Sequence, residues 1–177
     1  SANVVLSLLP KAPFMSPWGL NTYRPIKITA TEAEIIKYGG NIYFARKINL
    51  ANVLSILAEK LGAEYENVRA GMAADFRIGD SHLDVSHGGY KGFGGYCFPK
   101  DLDAFIAHLD SCGLKVSANF LREDRKFNES LLASQGLTLE DVSVHDHEWI
   151  QKKLKSEARN PKSETISKSE ILNPKRV

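Results

Sequence analysis

The sequence predicts a mainly α-helical domain built on one long helix, residues 32–61, with three or four shorter helices and a long loop rich in Gly and His. Three observations carry that prediction. Apolar residues recur at helical spacing from Ile35 to Leu61. Further stretches downstream repeat the pattern, and their ends fall at Gly113 and at Gln135-Gly136. No confident sheet-forming run appears anywhere in the 177 residues, a length that suits one domain with a real core.

Residues 1–30 read as the remnant of a preceding domain or a linker, because Pro10, Pro13, Pro17 and Pro25 break any regular element. Two capping boxes compete for the start of the long helix, Thr31-x-x-Glu34 and Thr29-x-x-Glu32. Ile35, Ile36, Tyr43, Phe44, Ile48, Leu50, Val53, Leu54, Leu57 and Leu61 cover more than one face, which predicts burial between layers or between subunits. At 1.5 Å per residue this helix would run about 45 Å. Gly39-Gly40 inside it each cost about 1 kcal/mol against alanine, which points to close approach of another backbone or a ligand. A second helix is expected over Glu64 to Ala74, with Val68 and Met72 inward. Asp75 to Tyr96 reads as a loop, which at that length is functional or disordered. Pro99 to Ser111 is the third helix, with Leu102, Phe105, Ile106 and Leu109 on one face, and Ser117 to Ser134 the fourth. The main helical domain is thus 31–135, followed by a weaker extra helix within 136–155 and a disordered basic tail, 156–177.

The formal net charge of +2 selects no partner class. Eight Lys/Arg against three Glu lie between Gln151 and Val177, but without interleaved aromatics they do not read as a nucleic-acid surface. Two cysteines, Cys97 and Cys112, make no disulfide framework and no CxxC pair, so a reducing, cytoplasmic setting is expected. No apolar run approaches the ~18 residues of a membrane helix. The first ten residues lack the basic region of a signal peptide. There is no initiator Met, and the chain reads as a piece of something longer.

Chemistry concentrates around Cys97, which sits between Gly92-Phe93-Gly94-Gly95 and Pro99 at the mouth of the third helix. Glycine lets a backbone approach a ligand closely, and proline fits the first helical turn. A thiol at a helix N-terminus ionises more easily, and the thiolate is the nucleophile. The competing reading is a small buried core cysteine. Lys37 and Asn41, four apart, share a helix face and form a donor pair suited to an oxyanion; otherwise they are a solvated Lys beside an Asn. Asp101 reads either as a base near the thiol or as a carboxylate favoured by the helix dipole in the first turn. Arg77 is an anion clamp or an ordinary ion pair. His82 and His87 with Asp80 and Asp84 lack metal-ligand spacing, so no metal is assigned. A Cys hydrolase would need a histidine base beside Cys97, and no motif places one. There is no P-loop ending and no dinucleotide fingerprint between a strand and a helix.

Three blocks then fall on one pattern: Ala33-Glu34-Ile35-Ile36-Lys37-Tyr38-x-x-Asn41, Gly71-x-x-x-Asp75-x-Arg77-Ile78-Gly79, and Gly92-Phe93-Gly94-Gly95-Tyr96-Cys97-Phe98-Pro99-Lys100-Asp101. In this order and spacing they resemble the central domain of the nucleotide-sugar 6-dehydrogenase family, the UDP-glucose enzymes above all, from about Thr29 to Asn128. The resemblance implies uronic-acid formation from a UDP-sugar by two successive oxidations with two NAD. It implies Cys97 as the nucleophile of a thiohemiacetal and a thioester, and Lys37 and Asn41 as oxyanion stabilisers. It gives Asp101 a part in proton transfer or water positioning, and sets Lys100 close to cofactor and substrate. Gly92, Phe93, Gly94 and Gly95 would line the sugar-nucleotide site, Arg77 would reach the substrate of a neighbouring subunit, and the long helix would form a homodimer core. The family's nucleotide-binding domain, its catalytic glutamate and its C-terminal domain have no counterpart in this sequence. The expectation is therefore a fragment, inactive alone, with NAD held mainly by a domain absent from the chain. The alternative is a helical dimerisation module that keeps the scaffold without the chemistry.

Overall fold

The computed structural model describes residues 29–144 and Lys155. The readings of 1–28 and 156–177 lie outside the described residues. Among those described there are five helices and no strand. They are α1 (Ala30–Lys60), α2 (Tyr65–Ala73), α3 (Cys97–Ser111), α4 (Lys115–Ala133) and α5 (Leu139–Val142).

Of the two candidate capping boxes, Thr29 starts α1. Its Oγ1 accepts the Glu32 N–H at 3.2 Å, and the Glu32 carboxylate accepts the Thr29 N–H at 2.6 Å. The chain leaves α1 through Gly62, at φ 68°. One face of α1 buries Ile42, Ala45, Asn49, Asn52 and Ser55. Seven-residue spacing returns to nearly the same face of a helix. Ile36, Tyr43, Leu50 and Leu57 follow that spacing, and each is about half exposed or more. Of the apolar residues whose spacing predicts this helix none is fully buried: Phe44, Ile48 and Leu54 are half-buried, and the others, the stripe among them, are exposed.

α3 packs on α4, and both pack on α1. The core joins Ile42 and Ala45 of α1, Phe93 of the loop, Leu102 and Ile106 of α3, and Ala118 and Leu121 of α4. Ala45 and Ala118 are fully buried, and their small side chains let the three helices approach closely. A smaller cluster, Leu132, Leu137 and Val142 with Tyr90 and Leu139 at its rim, fixes α5 against the loop.

Three expectations change. α3 begins at Cys97, two residues before Pro99, because proline is tolerated throughout the first turn and does not mark its first residue. Asp101 therefore lies in the second turn, beyond the reach of a simple dipole argument. α2 buries no residue fully, and Val68 and Met72 are half-buried rather than core. α5 spans Leu139–Val142 under its own Thr138–Asp141 capping box, and the rest of the predicted 139–154 helix lies outside the described residues. The first half of the segment between α2 and α3 is tied back to α2. Tyr65 Oη donates to the Leu83 carbonyl at 2.7 Å, and Arg69 grips Asp80 with two bonds of 2.9 and 3.0 Å. Leu83 and Phe93 within it are each 1% exposed, so the segment contributes to the core.

Candidate active site

Cys97 is the first residue of α3, and its thiol is exposed. The helix start carries no side-chain cap. Gly95, at φ 70°, turns the chain into it. Cys97 lines a cleft of about 490 Å³ together with Gly92, Phe93, Gly94, Gly95 and Phe98. Ser81, His82, Asp84 and His87 also line it, as do Val142 and Val144.

One turn beyond the thiol, Asp101 is the hub of a charged network. Its side chain is 1% exposed, and a buried carboxylate is stable only when paired. Asn41 Nδ2 of α1 donates to Oδ2, Lys100 Nζ donates to Oδ1, and Lys37 Nζ stands 3.6 Å from Oδ2. Burial pushes the Asp101 carboxyl up, but the hydrogen bonds from Lys100 and Asn41 and the charges of Lys100 and Lys37 outweigh it. Its pKa ends below the ordinary value. The hydrogen bond to Asp101 raises Lys100, with smaller contributions from the charges of Asp101, Tyr38 and Cys97. The fold thus brings Lys37, Asn41, Lys100 and Asp101 together across a gap of 60 residues. Lys37 also lies 4.4 Å from the centre of the Tyr38 ring. None of these four lines the cleft; of α3, Cys97 and Phe98 do.

Arg77 stands apart. Its guanidinium and backbone N–H bond its own near neighbour Asp75, whose carboxyl they hold down to about 2. It does not line the cleft, and its side chain is 71% exposed. The turn that carries it is held from behind by Lys47 of α1, which donates to the carbonyls of Ile78 and Gly79 at 2.7 and 3.0 Å. Lys47 is 7% exposed; burial lowers its pKa, against the opposing charge of Asp80.

His82 lines the cleft, but its ring is stacked 4.2 Å from that of Phe44 and tilted against Phe98, and its buried Nδ1 has no hydrogen-bond partner among the described residues. This is packing chemistry rather than that of a hydrolase base. Among the described residues no three His, Cys, Asp or Glu side chains gather as a metal-holding group, and no helix is long and apolar enough to cross a membrane.

The glycines explain themselves at close range. A Cβ on Gly92, at φ 109°, would lie 2.7 Å from Asn128 Oδ1, and one on Gly94 would lie 2.6 Å from the Val142 carbonyl oxygen. Gly95 faces open space. Sequence reasoning missed Asn128, Lys47 and Gln135. The only local signal was an asparagine inside a helix, where its propensity is poor.

The model of the UDP-glucose/GDP-mannose dehydrogenase family, central domain, matches residues 31–130. The chain belongs to this family. It is 46% identical over 117 residues to a UDP-glucose 6-dehydrogenase of Rickettsia bellii, an overlap of 63% of this chain and 25% of the relative. It is 40% identical over 89 residues to UDP-glucose 6-dehydrogenase YwqF of Bacillus subtilis, covering 48% of this chain and 19% of that protein. UDP-glucose 6-dehydrogenase 1 of Arabidopsis thaliana is 35% identical over 97 residues, 55% of this chain and 19% of the plant protein. The chain spans about a quarter or less of the length of the curated relatives it matches. For the dehydrogenase central domain, the matched residues hold α1 to α3 and nearly all of α4, and so every sequence-predicted site residue.

Proposed function

We propose that this chain supplies the nucleophile and the dimer core of an NAD-dependent nucleotide-sugar 6-dehydrogenase, which takes UDP-glucose to UDP-glucuronate. The observation that carries the reading is the exposed Cys97 thiol, set in a cleft at the start of α3 one turn from the Asp101 network. A thiol adds to an aldehyde carbonyl by forming a C–S bond while the carbonyl oxygen gains a proton; loss of that proton and of a hydride, which a nicotinamide would accept, would give the thioester, and water would cleave it to acid and thiol. Lys37 and Asn41 would stabilise the negative oxygen in such steps, and Asp101 would hold them and position water. The described residues offer no strand-to-helix turn to cradle a dinucleotide, so NAD does not fit them as its main site; Lys100 is the residue proposed beside it. In this reading the chain alone does not turn over.

A second copy on the open stripe of α1 gives the homodimer, supported by Ile36, Tyr43, Leu50 and Leu57 in the open. Two free thiols support a cytoplasmic setting.

The test is competitive alkylation of the chain with iodoacetamide, read by mass spectrometry, with Cys112 as the internal reference. Cys97 is expected to react faster, and UDP-glucose at millimolar concentration to protect it. Equal rates and no protection would favour the dimerisation module without chemistry. Robust oxidation of UDP-glucose by the isolated chain would overturn its incompleteness.

A further inference from the structure

Two side-chain amides hold the glycine-rich loop in the same way. Asn128 Oδ1 accepts the Phe93 N–H at 2.7 Å, and its Nδ2 donates to the Phe93 carbonyl at 2.9 Å. Gln135 Oε1 accepts the Lys91 N–H at 2.7 Å, and its Nε2 donates to the Lys91 carbonyl at 2.8 Å. Paired strands exchange bonds in this manner, but here the partner strand is replaced by two carboxamides from α4 and its C-terminal turn. Among the described residues no backbone group of a helix or strand serves residues 91 and 93, and buried peptide groups need partners.

The surroundings fit the clamps closely. Asn128 is fully buried. Gly92 lies between the two gripped residues and has no room for a Cβ against Asn128 Oδ1. Gln135 also donates to the Leu131 carbonyl at 2.8 Å, so one side chain closes the end of α4 and the loop together. Downstream, the Phe93 ring meets the Phe98 ring edge-on at 6.5 Å, and Phe98 follows Cys97. The path from Asn128 to the residue beside the thiol is thus a short series of packed groups. Gln135 lies past residue 130, where the family match ends.

We infer that Asn128 and Gln135 are positioning residues, a pair of amide clamps that set the loop backbone from Lys91 to Gly94 and through it the place of Cys97 in the cleft. The inference rests on the reading of Cys97 as the reactive group. Each clamp requires a side chain that both donates and accepts, which an ionised carboxylate cannot do.

The experiment compares the full chain with Asn128→Asp and Gln135→Glu at pH 7.5, in conditions where urea melts show each variant folded. Amide exchange by NMR reads Lys91 and Phe93, and the Cys97-to-Cys112 alkylation ratio reads the thiol. The carboxylate can still accept the backbone N–H, but its second oxygen faces the carbonyl with no proton to share, so the clamp should open and exchange at the matching residue speed up by about tenfold or more. The alkylation ratio should shift by about threefold or more. On lowering the pH, the introduced carboxyl of either variant takes up a proton and regains a donor, and exchange relative to wild type at the same pH should recover; a role in stability alone would not restore the alkylation ratio in step. Should Asn128→Asp fail to fold, Gln135→Glu at the rim and the wild-type protection of Lys91 and Phe93 still decide the matter. Wild-type amides exchanging at open-loop rates, or folded variants with unchanged exchange and ratio, would overturn the inference. No nucleotide sugar enters the measurement, so it can fail while UDP-glucose protection succeeds, and the reverse.

Discussion

The Asn41 carboxamide of the longest helix donates to the Asp101 carboxylate of the helix that begins at Cys97. This bond ties the two elements at a buried charge. Asn41→Ala should cost about 1.5–3 kcal/mol, the range for a hydrogen bond to a charged group, read as a shift in the urea midpoint. The same network has an acid limit. Because the folded Asp101 pKa lies below 3.8, its contribution is complete above that pH and is lost as the pH falls through the folded value. Acid titration by circular dichroism should show Asn41→Ala unfolding at a higher pH than wild type.

His82 sets a second pH response. Burial first, then the charges of Lys47 and His87, lower its pKa from 6.5. In the window between the folded value and 6.5 the unfolded chain binds the extra proton, so stability rises with pH there and the cost is complete below it. His82→Asn removes the titration and still suits the backbone at φ 65°. Thermal melts at pH 5.0 and 7.5 should differ less for this variant than for wild type; an equal difference would exclude His82 as the source.

Gly94 and Gly95 are neighbours with unlike constraints. Alanine at 94 would press on the Tyr90 hydroxyl and on Val142, and overpacking of this kind costs about 1–3 kcal/mol. It should also loosen α5, because the Gly95 N–H donates to the Val142 carbonyl at 2.8 Å. Alanine at 95 meets no atom and bears only the strain of φ 70°, about 1–2 kcal/mol. Amide exchange across residues 138–144 separates the two: Gly94→Ala should raise it and Gly95→Ala leave it.

Leu50 is 50% exposed in the single chain. Leu50→Glu should leave the melting of the monomer within about 0.5 kcal/mol while disrupting pairing through α1. Light scattering at tens of micromolar should report a dimer for wild type and a monomer for the variant; a wild-type monomer would remove the dimer reading.

What the sequence made legible was local. The Thr29 box, the apolar spacing of α1 and the four-residue offset of Lys37 and Asn41 are all signals within one or two turns. The sequence signal starts the helix at Pro99, two residues past its true start at Cys97, because proline fits more than one position in a first turn. Partnerships across the chain were not legible. Asn41 reaches Asp101 over 60 residues, and Asn128 reaches Phe93 over 35. Gly92 and Gly94 line the cleft and also make room for Asn128 and for Val142 with Tyr90. Crowding of that kind depends on which helices meet, and no single segment encodes it.

Gly39 and Gly40 sit mid-helix with no atom within 4 Å of where a methyl group would be. Nothing among the described residues asks for that bare ribbon, and alanine at each would make this fold sturdier by about 1 kcal/mol. A backbone left open there suits the approach of something beyond the described residues, so a thermally hardened double-alanine version should fold better and assemble or bind worse.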